Sequence, residues 1–241
     1  MRFTSEQRLE DGVLEREFTL GEIPGVLWTT GSAPAPLILS GHNGGLHKRL
    51  PRLVARARHY AAEYGFAVAA IDAPGHGDRP RSAVDEQARA GLRRAMEAGG
   101  PVDEIVDAFI VPLVERAGGP GMADHPGRPP FAARDRRPGR VRGDDRHRHS
   151  AGAGRASHLG RCFFGGGFVP GTLFEAARQV TIPLQFLLQW DDEGMERPPV
   201  LDPFDAFGAT EKTLHANLGG HAGVPWFEVD DAARFFARHV S

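Results

Sequence analysis

The chain has 241 residues, 41% of them hydrophobic, and a formal net charge of −2 at pH 7. This content suffices for one core of ordinary size, and the near-neutral charge excludes a general attraction for nucleic acid or acidic membranes. The single cysteine, Cys162, excludes an internal disulfide, and no apolar run has the length of a signal peptide or membrane span. We therefore expect a cytoplasmic protein with one domain over residues 1–241, without a cofactor and without a nucleic-acid or membrane partner.

The first third of the sequence predicts two antiparallel strands and then a parallel crossover. Residues 13–30 alternate polar and apolar positions around Gly21 and Pro24, as two short antiparallel strands would. An apolar run at 36–40 precedes apolar residues at helical spacing over 48–64, and Gly65 is the expected stop. Residues 66–71 predict a second buried strand. Strand, helix and strand in this order indicate a right-handed parallel crossover covered by helices.

The rest of the chain continues the alternation of helices and strands. Helices are predicted at 83–97 and 102–117, strands at 181–189 and 211–216, and a final amphipathic helix at 226–240. In that last helix the residues predicted to face inward are Phe227, Ala232, Phe235 and Phe236. The fold class that this order favours is α/β, with a doubly wound and mostly parallel sheet.

Four short motifs follow predicted strands. They are His42-Asn-Gly-Gly45, Asp72-Ala-Pro-Gly-His-Gly-Asp78, Asp191-Asp192 and Gly220-His221. In their order and spacing they resemble the α/β-hydrolase superfamily, and within it the small esterases similar to dienelactone hydrolase. The resemblance covers residues 10–120 and 164–241. It implies a serine hydrolase that acts on an ester or related acyl bond of a small molecule.

The resemblance also implies roles for individual residues. Asp192 would be the triad acid, with Asp191 as the alternative, and His221 would be the general base. The backbone N–H of Asn43 would bind the oxyanion, and Gly44 would let the backbone approach the substrate. Simpler interpretations stay open at this point: a glycine-rich turn at 43–45, aspartates that cap a turn, and a surface-loop histidine.

Other polar residues at these strand ends favour structure over chemistry. His47, His76 and His215 lack the usual metal-ligand spacing with nearby carboxylates or Cys162, so the sequence predicts no metal site. His76 lies in a loop after a strand and is expected to be structural first. Asp72, at the same strand end, is expected to fix a neighbouring loop by accepting its N–H groups.

The nucleophile of such an enzyme is not visible in this sequence. No Gly-x-Ser-x-Gly occurs, and residues 123–162, where the fold requires a buried strand and a sharp turn, contain only Val141 and Leu159 as branched aliphatic residues. This segment holds ten Arg and four Asp, a balance of +6 that leaves −8 for the remainder. Ser150 and Ser157 lack an elbow sequence around them. We expect an Arg-rich segment of doubtful structure within the domain, without a central strand.

The composition of this segment favours a reading-frame error over about residues 122–163. The chain has two Lys, Lys48 and Lys212, against 27 Arg, as GC-rich DNA would encode, and shifted GC-rich codons yield Arg, Ala, Gly and Pro. A shift by one nucleotide permits Gly-x-Ser-x-Gly across codons 139–143. Two alternatives remain. The segment could be a disordered insertion, or it could bind nucleic acid, in which case Phe131 would be its one aromatic residue for stacking on a base. Without a nucleophile the protein would be an inactive or non-catalytic relative.

Overall fold

A computed structural model describes residues 1–31, 34–42, 46–98, 133–134, 160–165, 174–193, 197–221 and 223–240. The strands are β1 (Arg2–Arg8), β2 (Leu14–Leu20), β3 (Ile23–Thr29), β4 (Leu37–Ser40), β5 (Ala67–Ile71), β6 (Ala133–Arg134), β7 (Gly160–Gly165), β8 (Leu184–Gln189) and β9 (Lys212–Asn217). The helices are α1 (Pro51–Tyr64), α2 (Ala83–Glu97), α3 (Phe174–Arg178), α4 (Arg197–Ala206) and α5 (Phe227–Val240). The helix predicted at 102–117 lies outside the described residues.

The N-terminal strands form a mixed sheet in the order β1-β2-β3-β5-β4. β1, β2, β3 and β5 pair antiparallel to one another, and only β4 and β5 pair in parallel. The two antiparallel strands predicted over 13–30 are thereby confirmed as β2 and β3. The prediction of a mostly parallel sheet is wrong for this part of the molecule, because the sheet extends through hairpins on one side of the single β4–α1–β5 crossover.

The crossover helix α1 begins and ends where its sequence indicates. Pro51 occupies the first helical turn, where its missing N–H removes no hydrogen bond. Gly65 follows the last turn with φ of 68° and donates its N–H to Tyr60, so the left-handed residue that closes the helix is a glycine.

The C-terminal strands form a second sheet in the order β6-β7-β8-β9, in which β7, β8 and β9 are parallel. All six residues of β8 are buried, as expected for the middle of a covered parallel sheet. Gln189 pairs with Asn217, so β8 and β9 end side by side. The loops after these two strands therefore leave the sheet at the same edge.

The main core lies where the N-terminal sheet meets α1 and α5. Trp28, Val26 and Val68 are fully or almost fully buried there. From α5, Ala232, Phe235 and Phe236 pack into this core as predicted, but Phe227 is 56% exposed and the prediction for it is wrong. Residue 228 shares the helix face of 232 and 235, so Phe227 turns outward by about 100°.

Within the described part of the chain, none of the helices combines the length and apolar character needed to cross a membrane.

Candidate active site

The loops after β8 and β9 bring Asp192 and His221 together. His221 Nδ1 lies 2.9 Å from Asp192 Oδ2, the contact that the sequence predicts for these two residues. A carboxylate at this position accepts the Nδ1–H of the imidazole and leaves the lone pair on Nε2, which is the tautomer that a general base requires. The Asp192 side chain is 12% exposed, whereas that of His221 is 56% exposed. The imidazole is therefore accessible to solvent, while the carboxylate that it contacts is largely covered.

Asp191, the alternative acid, points elsewhere. Its side chain is 56% exposed, and its nearest cationic partner is Arg197, with Nη2 of the arginine 3.8 Å from Oδ1. Arg197 in turn donates to the Trp190 carbonyl and lies over the Trp190 ring. The geometry thus separates the two neighbouring aspartates and pairs Asp192 with the histidine.

Two residues that the sequence analysis did not single out hold the turn before His221. Glu193 Oε2 accepts the backbone N–H of His221 at 3.2 Å, and Gln189 Nε2 lies 3.4 Å from the Gly220 carbonyl. A Cβ on Gly220 would lie 2.5 Å from Glu193 Oε2, so a larger residue there would displace the Glu193 carboxylate. The pair Gly219-Gly220 is the sequence signal for such a close contact, but it does not say which side chain approaches.

At the end of β5, Asp72 organises a buried network. Its Oδ1 accepts the backbone N–H of Lys48 at 2.8 Å, and its Oδ2 accepts Lys48 Nζ at 2.6 Å and the backbone N–H of Asp78 at 3.0 Å. The Lys48 ammonium also contacts the Asp78 carboxylate. The prediction that Asp72 fixes a neighbouring loop is confirmed by these contacts, and it fixes two: the segment before α1 and the turn 73–78.

Asp72 and Lys48 each stabilise the charged form of the other. Burial alone would raise the pKa of Asp72, but hydrogen bonds from Lys48 and from the Asp78 N–H outweigh it and hold the pKa of Asp72 below its usual range. Burial likewise acts to lower the pKa of Lys48, and the carboxylates of Asp72 and Asp78 raise it above its usual value. Both groups are therefore charged at neutral pH.

The two histidines beside this network are buried and serve the loops. His42 Nε2 accepts the backbone N–H of Ala73 at 3.0 Å. His76 Nδ1 lies 2.9 Å from the Pro74 carbonyl, which makes it the donor, and His76 Nε2 lies 2.8 Å from Arg89 Nη2, which makes it the acceptor. Burial, with the charge of Arg89, lowers the pKa of His76. A neutral His76 that uses both nitrogens agrees with the structural role expected for it.

Asn43 and Gly44 lie outside the described residues, as does most of the segment 123–162. Within that segment the described residues are β6 and the first three residues of β7, which continues to Gly165 beside β8. His42 and Lys48, which flank residues 43–45, are both tied to the end of β5. The oxyanion and nucleophile assignments accordingly stay predictions.

Comparison with known proteins supports the fold through structure. No family model and no curated protein matches the sequence. Among solved structures, a cold-adapted esterase from an Arctic intertidal metagenomic library matches with a TM-score of 0.64 and 26% identity over 100% of both chains. A Thermus thermophilus protein matches with a TM-score of 0.53 and 18% identity, covering 95% of this chain and 98% of its own.

An acetyl xylan esterase from a Paenibacillus species matches with a TM-score of 0.50 and 12% identity, covering 99% of this chain and 87% of the esterase. At these identities the likeness concerns the arrangement of strands and helices. The chain has a mixed α/β fold of the kind found in esterases of the α/β-hydrolase superfamily.

Proposed function

We propose that this protein belongs to a lineage of serine esterases similar to the dienelactone-hydrolase branch, in which Asp192 and His221 form the acid–base pair. The observation that carries the proposal is the 2.9 Å contact between His221 Nδ1 and Asp192 Oδ2 at the adjoining ends of β8 and β9. A His–Asp pair on strand-end loops of an α/β-hydrolase fold is the arrangement used for acyl transfer. The similarity to an esterase at 26% identity supports a small-molecule ester as the substrate.

The reaction would run through an acyl-enzyme. A serine hydroxyl attacks the ester carbonyl while His221 Nε2 takes its proton, and Asp192 stabilises the imidazolium that forms. The oxyanion of the tetrahedral intermediate accepts a hydrogen bond from the Asn43 N–H. His221 then returns the proton to the departing alkoxide. Water, deprotonated by the same nitrogen, attacks the acyl-enzyme and releases the acid and the free serine.

The serine of this scheme is assigned to the frame-shifted segment at about residues 122–163. Sequencing the coding DNA through codons 115–167 tests this directly, since two compensating insertions or deletions must flank the segment. A coding sequence that has no such pair would remove the assignment and would favour the alternative, a non-catalytic or inactivated relative with the same fold.

The activity is tested on two proteins, the chain as it stands and the frame-restored chain. We expect the restored chain to hydrolyse an activated ester and to react with a fluorophosphonate probe, and the unrestored chain to do neither. His221→Ala in the restored chain should remove several orders of magnitude of activity, because an enzyme without its base keeps only weak catalysis from the oxyanion site.

Each outcome of this test has a distinct meaning. Equal labelling of the two proteins would make Ser150 or Ser157 the nucleophile, which the proposal denies. Labelling of neither protein would establish the non-catalytic alternative. If the His221→Ala variant of the restored chain is still labelled and hydrolyses the ester as fast as the restored chain, the assignment of His221 as the base is contradicted.

A further inference from the structure

We propose that His215, Glu228 and Asp231 form a binding site for one Zn²⁺ ion, separate from the His221–Asp192 pair. The donor atoms of these three side chains lie within 4.8 Å of one another. The inference is independent of the proposed esterase function. It reverses the prediction from sequence that His215 has no metal-ligand partners, because the spacing of 13 residues and then three matches no short metal motif.

Two elements supply the ligands. His215 lies on β9, and Glu228 and Asp231 lie in the first turn and a half of α5, three residues apart and therefore on one face of the helix. Residues 218–226 connect β9 to this helix, and His215 on the strand contacts Glu228 on the helix. One ligand from a strand and two from a helix face form a site that exists only in the folded protein.

The spacing of the donors suits zinc. His215 Nδ1 and Glu228 Oε2 are 2.9 Å apart. Two ligands at about 2.0–2.1 Å from Zn²⁺ are separated by about 2.9 Å when they subtend a right angle, and by about 3.4 Å at a tetrahedral angle. The third donor, from Asp231, lies within 4.8 Å of both, so this partly exposed side chain would have to rotate towards the ion to close the remaining gap. Three protein ligands leave a fourth position for water.

The surroundings hold Glu228 in place. Glu228 is 3% exposed, and its other oxygen, Oε1, accepts a hydrogen bond from Asn217 Nδ2 at 2.9 Å. Metal sites characteristically fix their ligands through such neighbouring hydrogen bonds. A buried carboxylate whose second oxygen faces an imidazole is thus oriented before any ion arrives.

The charges of the cluster favour a divalent cation. The two carboxylates of the cluster carry −2, and Arg234 contacts one of them. Arg234 Nη2 hydrogen-bonds Oδ1 of Asp231, so the second oxygen of that carboxylate stays available. Arg234 nevertheless competes with the ion for Asp231. Removing this competitor should tighten binding, an effect that a purely structural His215–Glu228 hydrogen bond would not produce.

The ligand set also selects among ions. Imidazole with carboxylates suits Zn²⁺, whereas Mg²⁺ requires near-octahedral oxygen ligands and gives up its water reluctantly. We therefore expect Zn²⁺ to bind and Mg²⁺ at the same concentration to leave the protein unchanged. Calorimetric titration of the metal-free, full-length chain with zinc chloride should give one site per chain, and the ion should raise the thermal unfolding midpoint.

The variants make the test specific. His215→Ala should weaken zinc binding by more than tenfold, and Arg234→Gln should strengthen it several-fold. The matched control is His59→Ala, which removes another histidine paired with a carboxylate, His59 Nε2 with Asp230 Oδ1 at 2.6 Å. It should leave zinc binding unchanged, as should His221→Ala, which removes the proposed catalytic base.

Because Glu228 is buried, its replacement can impair folding, and Asp231→Asn on the helix surface provides the second test of the carboxylates. Circular dichroism confirms that each variant is folded. The proposal is overturned if the wild-type chain takes up no zinc, if His215→Ala and Asp231→Asn bind it as tightly as wild type, or if His221→Ala abolishes the binding. The last outcome would assign the ion to the His221–Asp192 pair.

Discussion

Two clusters of polar side chains at strand ends, one around Asp72 and one formed by Asp192 and His221, differ in burial. At the end of β5, Asp72 is fully buried and Lys48 almost so, and Asp72 makes two hydrogen bonds to Lys48 and one to the turn 73–78. At the ends of β8 and β9, His221 is more than half exposed and Asp192 is mostly covered. In the first cluster the Asp72 carboxylate accepts hydrogen bonds from the protein itself, whereas in the second the His221 side chain remains largely accessible to solvent.

This difference in burial suits the first cluster to fixing loops and the second to proton transfer. A buried carboxylate with a lysine and several N–H donors is held charged in one geometry, so it fixes loops and does not exchange protons near neutral pH. An exposed histidine oriented by a single carboxylate can accept and return a proton. We therefore expect substitutions at the β5 end to change the free energy of unfolding, and substitutions at the β8–β9 ends to change catalysis.

The largest effect is expected from Asp192→Asn in the frame-restored chain. An amide cannot stabilise the imidazolium and holds the wrong tautomer of His221, which in a serine-protease triad lowers kcat by about 10⁴-fold. Asp191→Asn is the matched control, because it makes the same chemical change one residue away, at a side chain that does not contact His221. Steady-state hydrolysis of an activated ester measures both variants.

A loss of similar size in the two variants would mean that local loop structure, and not the orientation of His221, limits the rate. A larger loss in Asp191→Asn would reverse the assignment. Neither variant should move the urea midpoint much, since Asp191 is largely exposed and the Asp192–His221 pair is partly so.

The next effect is on stability, and it compares the loss of the Lys48 ammonium with the loss of its exposed partner, Asp78. Lys48→Met leaves the buried Asp72 charge without its cation, which should lower the free energy of unfolding by about 3–5 kcal/mol. Asp78→Asn removes the exposed partner, whose side chain is 75% exposed, and should cost at most about 1 kcal/mol. Urea denaturation measures both.

A double variant, Lys48→Met with Asp72→Asn, checks the cause of that loss. If the uncompensated Asp72 charge is responsible, the second substitution recovers part of the stability that the first removed. Strictly additive losses would instead show that each side chain contributes through packing alone.

Glycine substitutions sharpen the same comparison on a smaller scale. Gly77 has φ of 52°, and a Cβ there would run into the Asp72 carboxylate, whereas Gly65 has φ of 68° with no atom within 4 Å of its Cβ position. Gly65→Ala should cost about 1 kcal/mol from the backbone alone. Gly77→Ala should cost at least about 1 kcal/mol more, since the Asp72 network must also shift. Equal thermal midpoints for the two variants would refute the close approach.

The sequence predicted the elements that have a clear period or a clear stop, and failed where the pattern was hidden. The strand β1 was not predicted, because all seven of its residues are exposed and it is an edge strand with no apolar face. The helix α4 was missed because three prolines, at 198, 199 and 203, conceal it, although Val200 and Phe204 pack against β8.

Site prediction followed the same division. The contact between Asp192 and His221 was predicted because both residues follow predicted strands in the order of a known family. The partners Lys48 and Glu193 were missed, since their contacts depend on how separate loops meet after folding. The contact between His215 and Glu228, which are 13 residues apart, was missed for the same reason. It depends on how β9 and α5 pack together and cannot be predicted from the spacing in the sequence.

The smallest predicted effect is on the pH dependence of stability, and it tests whether burial beside the Asp72 network keeps His76 neutral. Burial lowers the pKa of His76 from its ordinary value of 6.5, so the unfolded chain binds this proton at a higher pH than the folded chain does. The stability that the neutral imidazole contributes is therefore present above the unfolded pKa and is lost as the pH falls through the lower, folded pKa. His76→Asn removes this titration, and the wild-type advantage over it should shrink as the pH falls from about 7 to about 5. The variant also loses the contact with Arg89, which changes its free energy of unfolding by an amount that does not depend on the protonation of residue 76. Asp72 titrates at lower pH in both proteins and does not contribute to the difference. Urea unfolding of both proteins across this range gives the difference, and parallel curves would show that His76 is not held neutral by its burial.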